Sequence, residues 1–365
     1  MASEVGLKPN GLASEVGLKP NGLAFLEYIL NSKLNLSDTQ WIAELLSSKL
    51  KDQIVYSPIN ASYSSWFIFE NHRWHEYSPS VTSYIYPILD KLSSELSNLI
   101  MTTDTQDLPL SKAKEIHQLT TKLKFTSFRH KIINELSKLV RNEKFRSILN
   151  FSAHLICFTN GVFDFSCKKF RDGQPTDYLT ICTGYSYKPY DDYPVDIRNQ
   201  LMAYLQSILP NTADFEAMLD ILVLVISGSP ILVRCVLCGG GDNGKSTFLH
   251  FIRLVLGGYL ETVSGYILFS QQKYYRLIII SDSYEADIKR SRLLTSQVTH
   301  SILESNTYIC DPSIRTIPFM SKFVKPESPT EHQTHYLPAD PDINSKLEIL
   351  VPVFGSMLID RFIRR

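Results

Sequence analysis

The feature that most constrains this 365-residue chain is a glycine-rich loop set between an apolar run and a helical pattern. Residues 239–247 read GGGDNGKST, which satisfies the pattern G-x-x-x-x-G-K-[ST] of a phosphate-binding loop. The preceding run 231–237, ILVRCVL, is short and rich in β-branched residues, and it predicts a buried strand. The following run 248–256, FLHFIRLVL, has apolar residues at helical spacing and ends before Gly257. Strand, loop and helix in this order predict an α/β domain whose loop binds the phosphates of a nucleotide.

Each residue type in the loop suits the binding of ATP with Mg²⁺. Glycines let the backbone approach the phosphates closely, and the N-terminus of the helix adds N–H donors. Lys245 is expected to contact the β- and γ-phosphates, and the hydroxyl of Ser246 is expected to hold Mg²⁺. The alternative is an ordinary glycine-rich turn between a strand and a helix. The residues predicted to bind ATP are Gly239, Gly240, Gly241, Asp242, Asn243, Gly244, Lys245, Ser246 and Thr247.

A second apolar run predicts another buried strand, and it ends in an acidic residue. This run covers residues 277–281, and Asp282 follows it. P-loop enzymes hold Mg²⁺ and the attacking water with a carboxylate at the end of a strand, so Asp282 is predicted as a metal ligand and a catalytic residue. Glu285 is the substitute for the same catalytic role. The alternative is that Asp282 ends the strand for reasons of turn geometry alone.

Charge excludes a basic field over the whole protein, since 37 basic residues balance 37 acidic ones. Any surface for nucleic acid must therefore be local. Ten lysines and arginines within residues 111–150 are opposed by only three glutamates, and such an excess can neutralise nucleic-acid phosphates. A solvated helix face is the alternative. The basic residues are Lys112, Lys114, Lys122, Lys124, Arg129, Lys131, Lys138, Arg141, Lys144 and Arg146.

Cysteine usage and the apolar runs limit the compartment. Six cysteines show no dense disulfide framework and no signal peptide opens the chain, so a reducing intracellular compartment is expected rather than secretion. The most apolar run, 221–238, is broken at Pro230 and charged at Arg234, and neither half reaches the length of a bilayer span. This run predicts core, and no membrane partner is expected.

Motifs along the chain predict its domain organisation. Residues 2–12 are repeated letter for letter at 13–23, which predicts a flexible leader. Two aromatic runs around a polar turn in 65–77 predict a hairpin whose rings either pack in a core or stack on bases. Asn160 and Gly161 predict a second hairpin. The expected domains are the leader (1–24), a mixed α+β N-terminal domain (25–190), an α/β P-loop domain around a mainly parallel sheet (191–335) and a truncated C-terminal helical segment (336–365).

The order of these motifs resembles one family. It is similar to the superfamily-3 helicase region of the primase-helicases of large DNA viruses and of phage and plasmid replicons, poxvirus-type helicase-primases included. The resemblance covers about residues 36–360. It is carried by the stretches 66–74, 158–164, 177–178, 239–247, 314–319, 321–324 and 337–341, of which NGKST at 243–247 is the most specific.

The resemblance implies a fold, an activity and partners. The fold is a P-loop NTPase domain of the AAA+-like type. The activity is an ATP hydrolase that translocates on single-stranded DNA as a homo-oligomeric ring, commonly a hexamer, in viral DNA replication. ATP then lies between subunits, and an arginine finger from a neighbouring subunit stabilises the transferring phosphoryl group. The location implied is the cytoplasm or the site of viral DNA replication.

Some positions depart from the family pattern. Asp282 stands where the family usually has Glu, and from the sequence alone no strand ending in Asn is found after it. The positions of the usual arginine pair hold Pro312 and Ser313, so Arg315 is the predicted finger only with a shifted register. Two hypotheses follow. The chain is an active or partly degenerate DNA helicase module, or it is a non-catalytic nucleotide-binding or assembly subunit without ATP turnover.

Overall fold

A computed structural model describes most of the chain, and the chain divides into two compact units. The described residues are 38–59, 63–77, 81–102, 109–229, 233–239, 242–264, 275–281, 298–305, 315–324 and 336–365. The first unit comprises the described residues up to Glu70 together with Trp74–Ile148. The second comprises Asn71–Arg73 and Leu149–Arg365. Each unit is described by itself.

The first unit combines a small sheet with helices. Strands β1, β2 and β3 lie side by side in chain order, and β1 pairs with β2 in antiparallel fashion. Helix α1 begins after Asp38, whose side chain accepts a hydrogen bond from the backbone N–H of Gln40 at 3.1 Å. The elements are α1 (Thr39–Lys49), β1 (Ile54–Pro58), β2 (Ser64–Glu70), β3 (Arg73–Tyr77), α2 (Thr82–Thr102), α3 (Leu110–Lys122), α4 (Thr126–Leu139) and α5 (Phe145–Ile148).

The aromatic hairpin predicted near residues 65–77 is present as β2 and β3, and its rings pack in the core. Trp66, Phe67 and Trp74 are buried. The rings of Phe67 and Trp74 lie 5.1 and 4.9 Å from the ring of Phe145. Because burial keeps these rings away from solvent, the packing alternative holds for them and the base-stacking alternative does not.

The second unit begins with a small antiparallel sheet and continues into the region of the glycine loop. The hairpin predicted at Asn160 and Gly161 is β4–β5, with its turn one residue earlier, since Phe158 pairs with Gly161. The elements are β4 (Leu155–Phe158), β5 (Gly161–Asp164), β6 (Lys169–Arg171), α6 (Val195–Ile208), α7 (Thr212–Ile226), β7 (Val233–Cys238), α8 (Lys245–Leu256), β8 (Leu260–Ser264), β9 (Tyr275–Ser281), β10 (Val298–Ser305), β11 (Arg315–Pro318), β12 (Lys322–Val324), β13 (Tyr336–Pro338) and α9 (Ile343–Ile363).

Five described strands form one parallel sheet in the order β11–β7–β10–β9–β8. Numbered by their order along the chain, these strands run 5-1-4-3-2. Strand β7, which precedes the glycine loop, therefore lies between β11 and β10, whereas the next strand in sequence, β8, lies at the far edge. The mainly parallel sheet predicted for the α/β region is confirmed.

Strand β10 was not predicted from the sequence, in which no strand ending in Asn is found after Asp282. Residues 298–305 read VTHSILES and lie between β7 and β9. This run mixes polar and apolar residues and lacks the continuous apolar character expected of a buried parallel strand, so its sequence gives a weak signal. The next residue in the sequence is Asn306, which lies outside the described residues.

The division between the two units differs from the boundary expected at residue 190. Residues 149–190 pack into the core of the second unit, where Ile156 and Phe158 share one apolar cluster with Phe248 and Phe251. Helix α9 belongs to the same core, since the rings of Phe251 and Phe354 stack at 5.1 Å. Residues 149–190, expected at the end of the N-terminal domain, and residues 336–365, expected as a separate segment, thus both belong to the unit that carries the loop. Across the described helices, none combines the length and apolar character that a membrane crossing requires.

Candidate nucleotide-binding site

The glycine loop leaves the sheet at a position where ligands bind in α/β proteins. Cys238, the last residue of β7, is level with Ser305 of β10 and with Pro318 of β11. The carboxyl ends of three neighbouring strands thus meet at one edge. Strands β8, β9 and β10 lie on one side of β7, and the last strand, β11, lies on the other side. Because the strand order reverses at β7, this edge is a topological switch point, where open α/β sheets form their binding crevices.

Helix α8 begins inside the motif. It starts at Lys245, three residues before the apolar run that predicted it, so Ser246 and Thr247 lie in its first turn. Gly244 is the N-cap with φ of 79°, a conformation that disfavours other residues, and it has no side chain to bond the N–H groups of that turn. The first turn of α8 therefore lies against the loop, where the N–H of Lys245 donates to Oδ1 of Asn243 at 3.4 Å and Ser246 is exposed.

Lys245 is buried within the loop. Its ammonium nitrogen donates to the carbonyl oxygen of Gly239 at 2.7 Å and to Oδ1 of Asn243 at 3.2 Å. Asn243 is also buried, and its Nδ2 donates to the carbonyl oxygen of Phe319 at 3.3 Å. The loop is thus held around the ammonium group by neutral oxygen acceptors.

Gly239 shows why this loop needs glycine. Its φ is 153°, and a Cβ atom built there would lie 2.2 Å from Nδ2 of Asn243 and 2.6 Å from the carbonyl oxygen of Phe319. No side chain fits at such distances, so the backbone at Gly239 can approach its neighbours only without one. This cradle and the positive charge of Lys245 suit the phosphates of a nucleotide.

The segment that follows β11 lies along the loop. The N–H of Phe319 donates to the carbonyl oxygen of Cys238 at 2.7 Å, and the N–H of Phe323 donates to that of Asp242 at 2.7 Å. The hydroxyl of Ser321, which is buried, donates to the carbonyl oxygen of Ser207 at 2.6 Å. The residue before the loop, Cys238, and Asp242 within the loop are therefore both hydrogen-bonded to the segment near residue 320.

A cavity of about 1070 Å³ opens beside the loop. A nucleoside fits within such a volume, since small-molecule pockets span about 300–1,000 Å³. The hydroxyl of Tyr204 is buried without a hydrogen-bond partner among the described atoms, and burial raises its pKa. The lining includes Asp242, Gly244 and Thr247 from the loop, Tyr204 and Ile208 from α6, Lys322 and Phe323 from β12, and Asp340, Ile343 and Lys346 from the start of α9.

The C-terminal end of α8 is held by residues near 185. The hydroxyl of Tyr185 donates to the carbonyl oxygen of Val255 at 2.9 Å, one of the carbonyls that the last turn of a helix leaves without a partner of its own. The N–H of Gly258 donates to the carbonyl oxygen of Cys182 at 3.1 Å. At Gly257, with φ of 51°, a Cβ atom would lie 2.2 Å from the carbonyl oxygen of Thr183.

Tyr259 completes this contact. Its hydroxyl accepts a hydrogen bond from the N–H of Cys157 at 2.8 Å and donates to the carbonyl oxygen of Ile181 at 3.1 Å. No local pattern marks Tyr185 or Tyr259 as important in the sequence, because their partners lie 70 to 102 residues away.

The remaining predicted site residues fall in different places. Gly240, Gly241, Asp282 and Glu285 lie outside the described residues. Arg315 begins β11 with a side chain 53% exposed, and its Nη2 lies 3.8 Å from Oδ1 of Asp214. Its role as a finger therefore stays a prediction.

The basic segment of the first unit is partly neutralised within that unit. Five of its ten basic side chains form ion pairs, and four of the other five are exposed. The paired residues are Lys112, Arg129, Lys138, Arg141 and Arg146, with Glu115, Asp90, Glu135, Glu143 and Glu76 respectively; the exposed lysines are Lys114, Lys124, Lys131 and Lys144. The local positive excess is smaller than the sequence suggests.

Comparisons with known proteins agree with the resemblance seen in the sequence. Residues 43–216 match the family model described as "D5 N terminal like". The chain is 30% identical over 226 residues to "Putative helicase L207/L206" of Acanthamoeba polyphaga mimivirus, a match that covers 59% of this chain and 23% of that protein. It is 26% identical over 267 residues to "Putative helicase 184R" of Invertebrate iridescent virus 6, covering 60% of this chain and 26% of that protein. The recognition of a chain similar to viral primase-helicases is confirmed.

The chain spans about a quarter of the length of these curated relatives. Among solved structures, it is similar to the apo C-terminal region of NrS-1, with a TM-score of 0.42 and 10% identity over 88% of this chain and 69% of that one.

Proposed function

We propose that this chain binds ATP with Mg²⁺ at residues 239–247 and is the nucleotide-binding module of a superfamily-3-type DNA helicase. One observation carries the proposal. The glycine loop follows the β7 strand of a parallel sheet at its switch point, and it leads directly into α8 with Lys245 held inside the loop. This is the arrangement that phosphate binding by backbone N–H groups requires.

The residues of this site have separate roles in the proposal. Lys245 exchanges its present oxygen acceptors, Gly239 and Asn243, for the β- and γ-phosphates. Ser246 and Asp282 are the proposed ligands of Mg²⁺, which neutralises charge on the transferring phosphoryl group when it is bound. Asn306, which follows β10, is the proposed residue that orients the attacking water.

The cavity beside the loop suits the nucleoside part of ATP. Apolar side chains such as Ile208 and Phe323 can cover the faces of a base, and the buried hydroxyl of Tyr204 can hydrogen-bond to a polar atom of the ligand. The cavity adjoins Thr247, so a nucleotide with its phosphates in the loop can extend into it.

The helicase part of the proposal rests on the relatives. Two viral proteins similar to this chain carry the word helicase in their names. We therefore propose single-stranded DNA as a partner, ATP hydrolysis coupled to movement on that DNA, and a homo-oligomeric ring in which a neighbouring subunit completes the site.

The alternative is a nucleotide-binding subunit without turnover. One observation favours it: Arg315, the predicted finger, lies near Asp214 of its own chain rather than standing alone at the sheet edge. Without an arginine from a neighbour the transition state loses a large part of its stabilisation, by a factor of roughly 10³–10⁵ in enzymes that use one.

Titration calorimetry with Mg·ATP and measurement of phosphate release test both hypotheses. We expect saturable binding by the parent protein and a loss of binding in Lys245→Ala. Lys245→Arg, which keeps the charge inside the loop, separates loss of a ligand from collapse of the loop. Turnover that rises with single-stranded DNA and disappears in Lys245→Ala supports the helicase, whereas binding without turnover supports the alternative. Folded protein that binds no Mg·ATP contradicts both.

A further inference from the structure

Two of the five described free cysteines lie together in the second unit. Cys157 is fully buried in β4, and Cys182 is partly exposed on the segment that runs beside that strand. The N–H of Thr183 donates to the carbonyl oxygen of Cys157 at 3.0 Å, so the two backbones are adjacent. The Cys157 thiol donates to the carbonyl oxygen of Phe158 at 3.3 Å, and Cys182 packs beside it. They share a small apolar cluster with Leu155, Val162 and Leu179.

The surroundings of Cys182 stabilise a thiolate. Its sulfur accepts a hydrogen bond from the N–H of Gly184 at 3.4 Å. The neighbouring Cys157 thiol, this N–H and the positive charge of Arg73 lower the pKa of Cys182 against the effect of burial. The neighbouring Cys182 sulfur and burial raise the pKa of Cys157. One sulfur is thus prepared to attack while the other remains a protonated neighbour.

We propose that Cys182 and Cys157 form a peroxide-reactive dithiol, in which Cys182 is oxidised first and Cys157 then closes an intramolecular disulfide. In the first step the Cys182 thiolate attacks one oxygen of a hydroperoxide, the O–O bond breaks, and the leaving hydroxide or alkoxide takes a proton to become water or an alcohol. Cys182 is then a sulfenic acid. In the second step the Cys157 sulfur attacks the Cys182 sulfur, the S–O bond breaks, and the hydroxyl leaves as water with the proton of the Cys157 thiol.

The other described cysteines lack this arrangement. Cys167 is exposed, and its thiol lies near the carbonyl oxygen of Asp164 at 3.8 Å, an acceptor rather than a donor. Cys235 and Cys238 are buried in β7 three residues apart, so their side chains point to opposite faces of the strand and cannot bridge. Selective oxidation at Cys182 is therefore expected.

The dithiol lies at the contact that holds α8. The carbonyl oxygen of Cys182 accepts from Gly258, and the N–H of Cys157 donates to Tyr259. A disulfide would join β4 covalently to the segment that supports the C-terminal end of the P-loop helix. The pair can thus record exposure to peroxide at the end of α8 opposite the proposed nucleotide site.

The experiment uses the full reduced chain at pH 7, treated with hydrogen peroxide, quenched with iodoacetamide at intervals and digested without reductant for mass spectrometry. We expect a linked peptide that contains Cys157 and Cys182 to accumulate while Cys167 is still recovered as the alkylated thiol. Cys182→Ser should abolish the linked peptide, and Cys167→Ser should leave its rate of formation unchanged. In Cys157→Ala, Cys182 should be trapped by dimedone as a sulfenic acid.

Two further measurements keep the proposal open to refutation if a variant folds poorly. Circular dichroism checks each variant, and the pH profile of alkylation is recorded on the parent protein alone. Alkylation of Cys182 in the parent should reach half its maximum below the pH of about 8.5 expected of an ordinary thiol, because its surroundings lower the pKa of the Cys182 thiol. The proposal is overturned if Cys182 in the parent reacts no faster than Cys167, or if peroxide links a different pair of cysteines.

Discussion

The two ends of helix α8 differ in what holds them. At its N-terminal end Gly244 has no capping side chain, and Ser246 is exposed in the first turn. At its C-terminal end the hydroxyl of Tyr185 bonds a terminal carbonyl, and Gly257 lies against the backbone of Thr183. The C-terminal end is thus closed by segments distant in sequence, whereas the N-terminal end is bordered by the glycine loop, where Oδ1 of Asn243 accepts from the N–H of Lys245 at 3.4 Å.

This difference assigns protein stability to the C-terminal end of α8 and ligand binding to its N-terminal end. A buried carbonyl or N–H without a partner costs about 1–3 kcal/mol, so a helix end that faces protein needs bonds of its own. An end that binds an anion needs the reverse, since its donors must be available when the ligand arrives. We therefore expect substitutions at the C-terminal end of α8 to lower the free energy of unfolding. Substitutions at its N-terminal end should instead lower the affinity for nucleotide.

The largest effect is expected for Gly257→Ala. At φ of 51° an alanine is strained, and its Cβ would lie 2.2 Å from the carbonyl oxygen of Thr183. The backbone conformation costs about 1–3 kcal/mol and the overlap about as much again, so denaturant titration should show a loss of about 3 kcal/mol or more. Gly184→Ala is the matched control, because Gly184 also has positive φ but has no neighbour within 4 Å of the Cβ position. Equal losses of unfolding free energy in the two variants would contradict the close packing at the C-terminal end of α8.

A smaller loss of stability is expected for Tyr259→Phe. The change removes a hydroxyl that bonds both the N–H of Cys157 and the carbonyl oxygen of Ile181. Leaving such groups unpaired should cost about 2 kcal/mol in the free energy of unfolding. Tyr185→Phe removes a single bond, to Val255, and should cost about half as much. If either variant changes the free energy of Mg·ATP binding more than the free energy of unfolding, the C-terminal end of α8 does not serve stability alone.

Ser246→Ala tests the proposed role of the N-terminal end of α8 in Mg·ATP binding. Loss of the proposed Mg²⁺ ligand should weaken Mg·ATP binding roughly tenfold, or about 1.5 kcal/mol, with little change in thermal stability. Calorimetry in EDTA provides the control, because the hydroxyl has no metal to hold there and parent and variant should bind ATP alike. A tenfold difference that persists in EDTA would assign Ser246 to the phosphates instead.

The smallest effect on stability is expected for Arg315→Ala. Its side chain is 53% exposed and its ion pair with Asp214 spans 3.8 Å, so the free energy of unfolding should change by less than about 0.5 kcal/mol. Phosphate release then decides its role. A large fall in turnover with unchanged stability supports the finger, and unchanged turnover removes Arg315 from the site.

The sequence predicts the local parts of this site well. The strand expected over residues 231–237 is β7 at Val233–Cys238, and the helix and aromatic hairpin are present. Helix α8 starts earlier than its apolar run because Lys245 and Ser246 occupy its first turn, where no apolar residue is needed. These strands and helices depend on residues that are close in sequence, so a short sequence pattern is enough to predict them.

The parts that sequence reasoning missed depend on distant residues. Strand β10 has polar residues at several positions, so its own hydrophobic pattern does not predict a strand. Its pairing with β7 and β9, which are distant in sequence, is seen only in the fold. The expected boundary at residue 190 is wrong because Phe158 packs in the same apolar cluster as Phe248 and Phe251 of α8. The dithiol was missed for the same reason, since Cys157 and Cys182 are far apart in sequence and no spacing rule joins them.

The place of β7 in the sheet has a consequence during synthesis. Its two neighbours, β10 and β11, end at Ser305 and Pro318, whereas β7 itself ends at Cys238. When the loop leaves the ribosome, the strand before it has neither partner, and the edges of β7 remain unpaired until the later strands emerge. Any fragment cut between the loop and Pro318 would carry the complete motif on a strand that lacks at least part of its pairing.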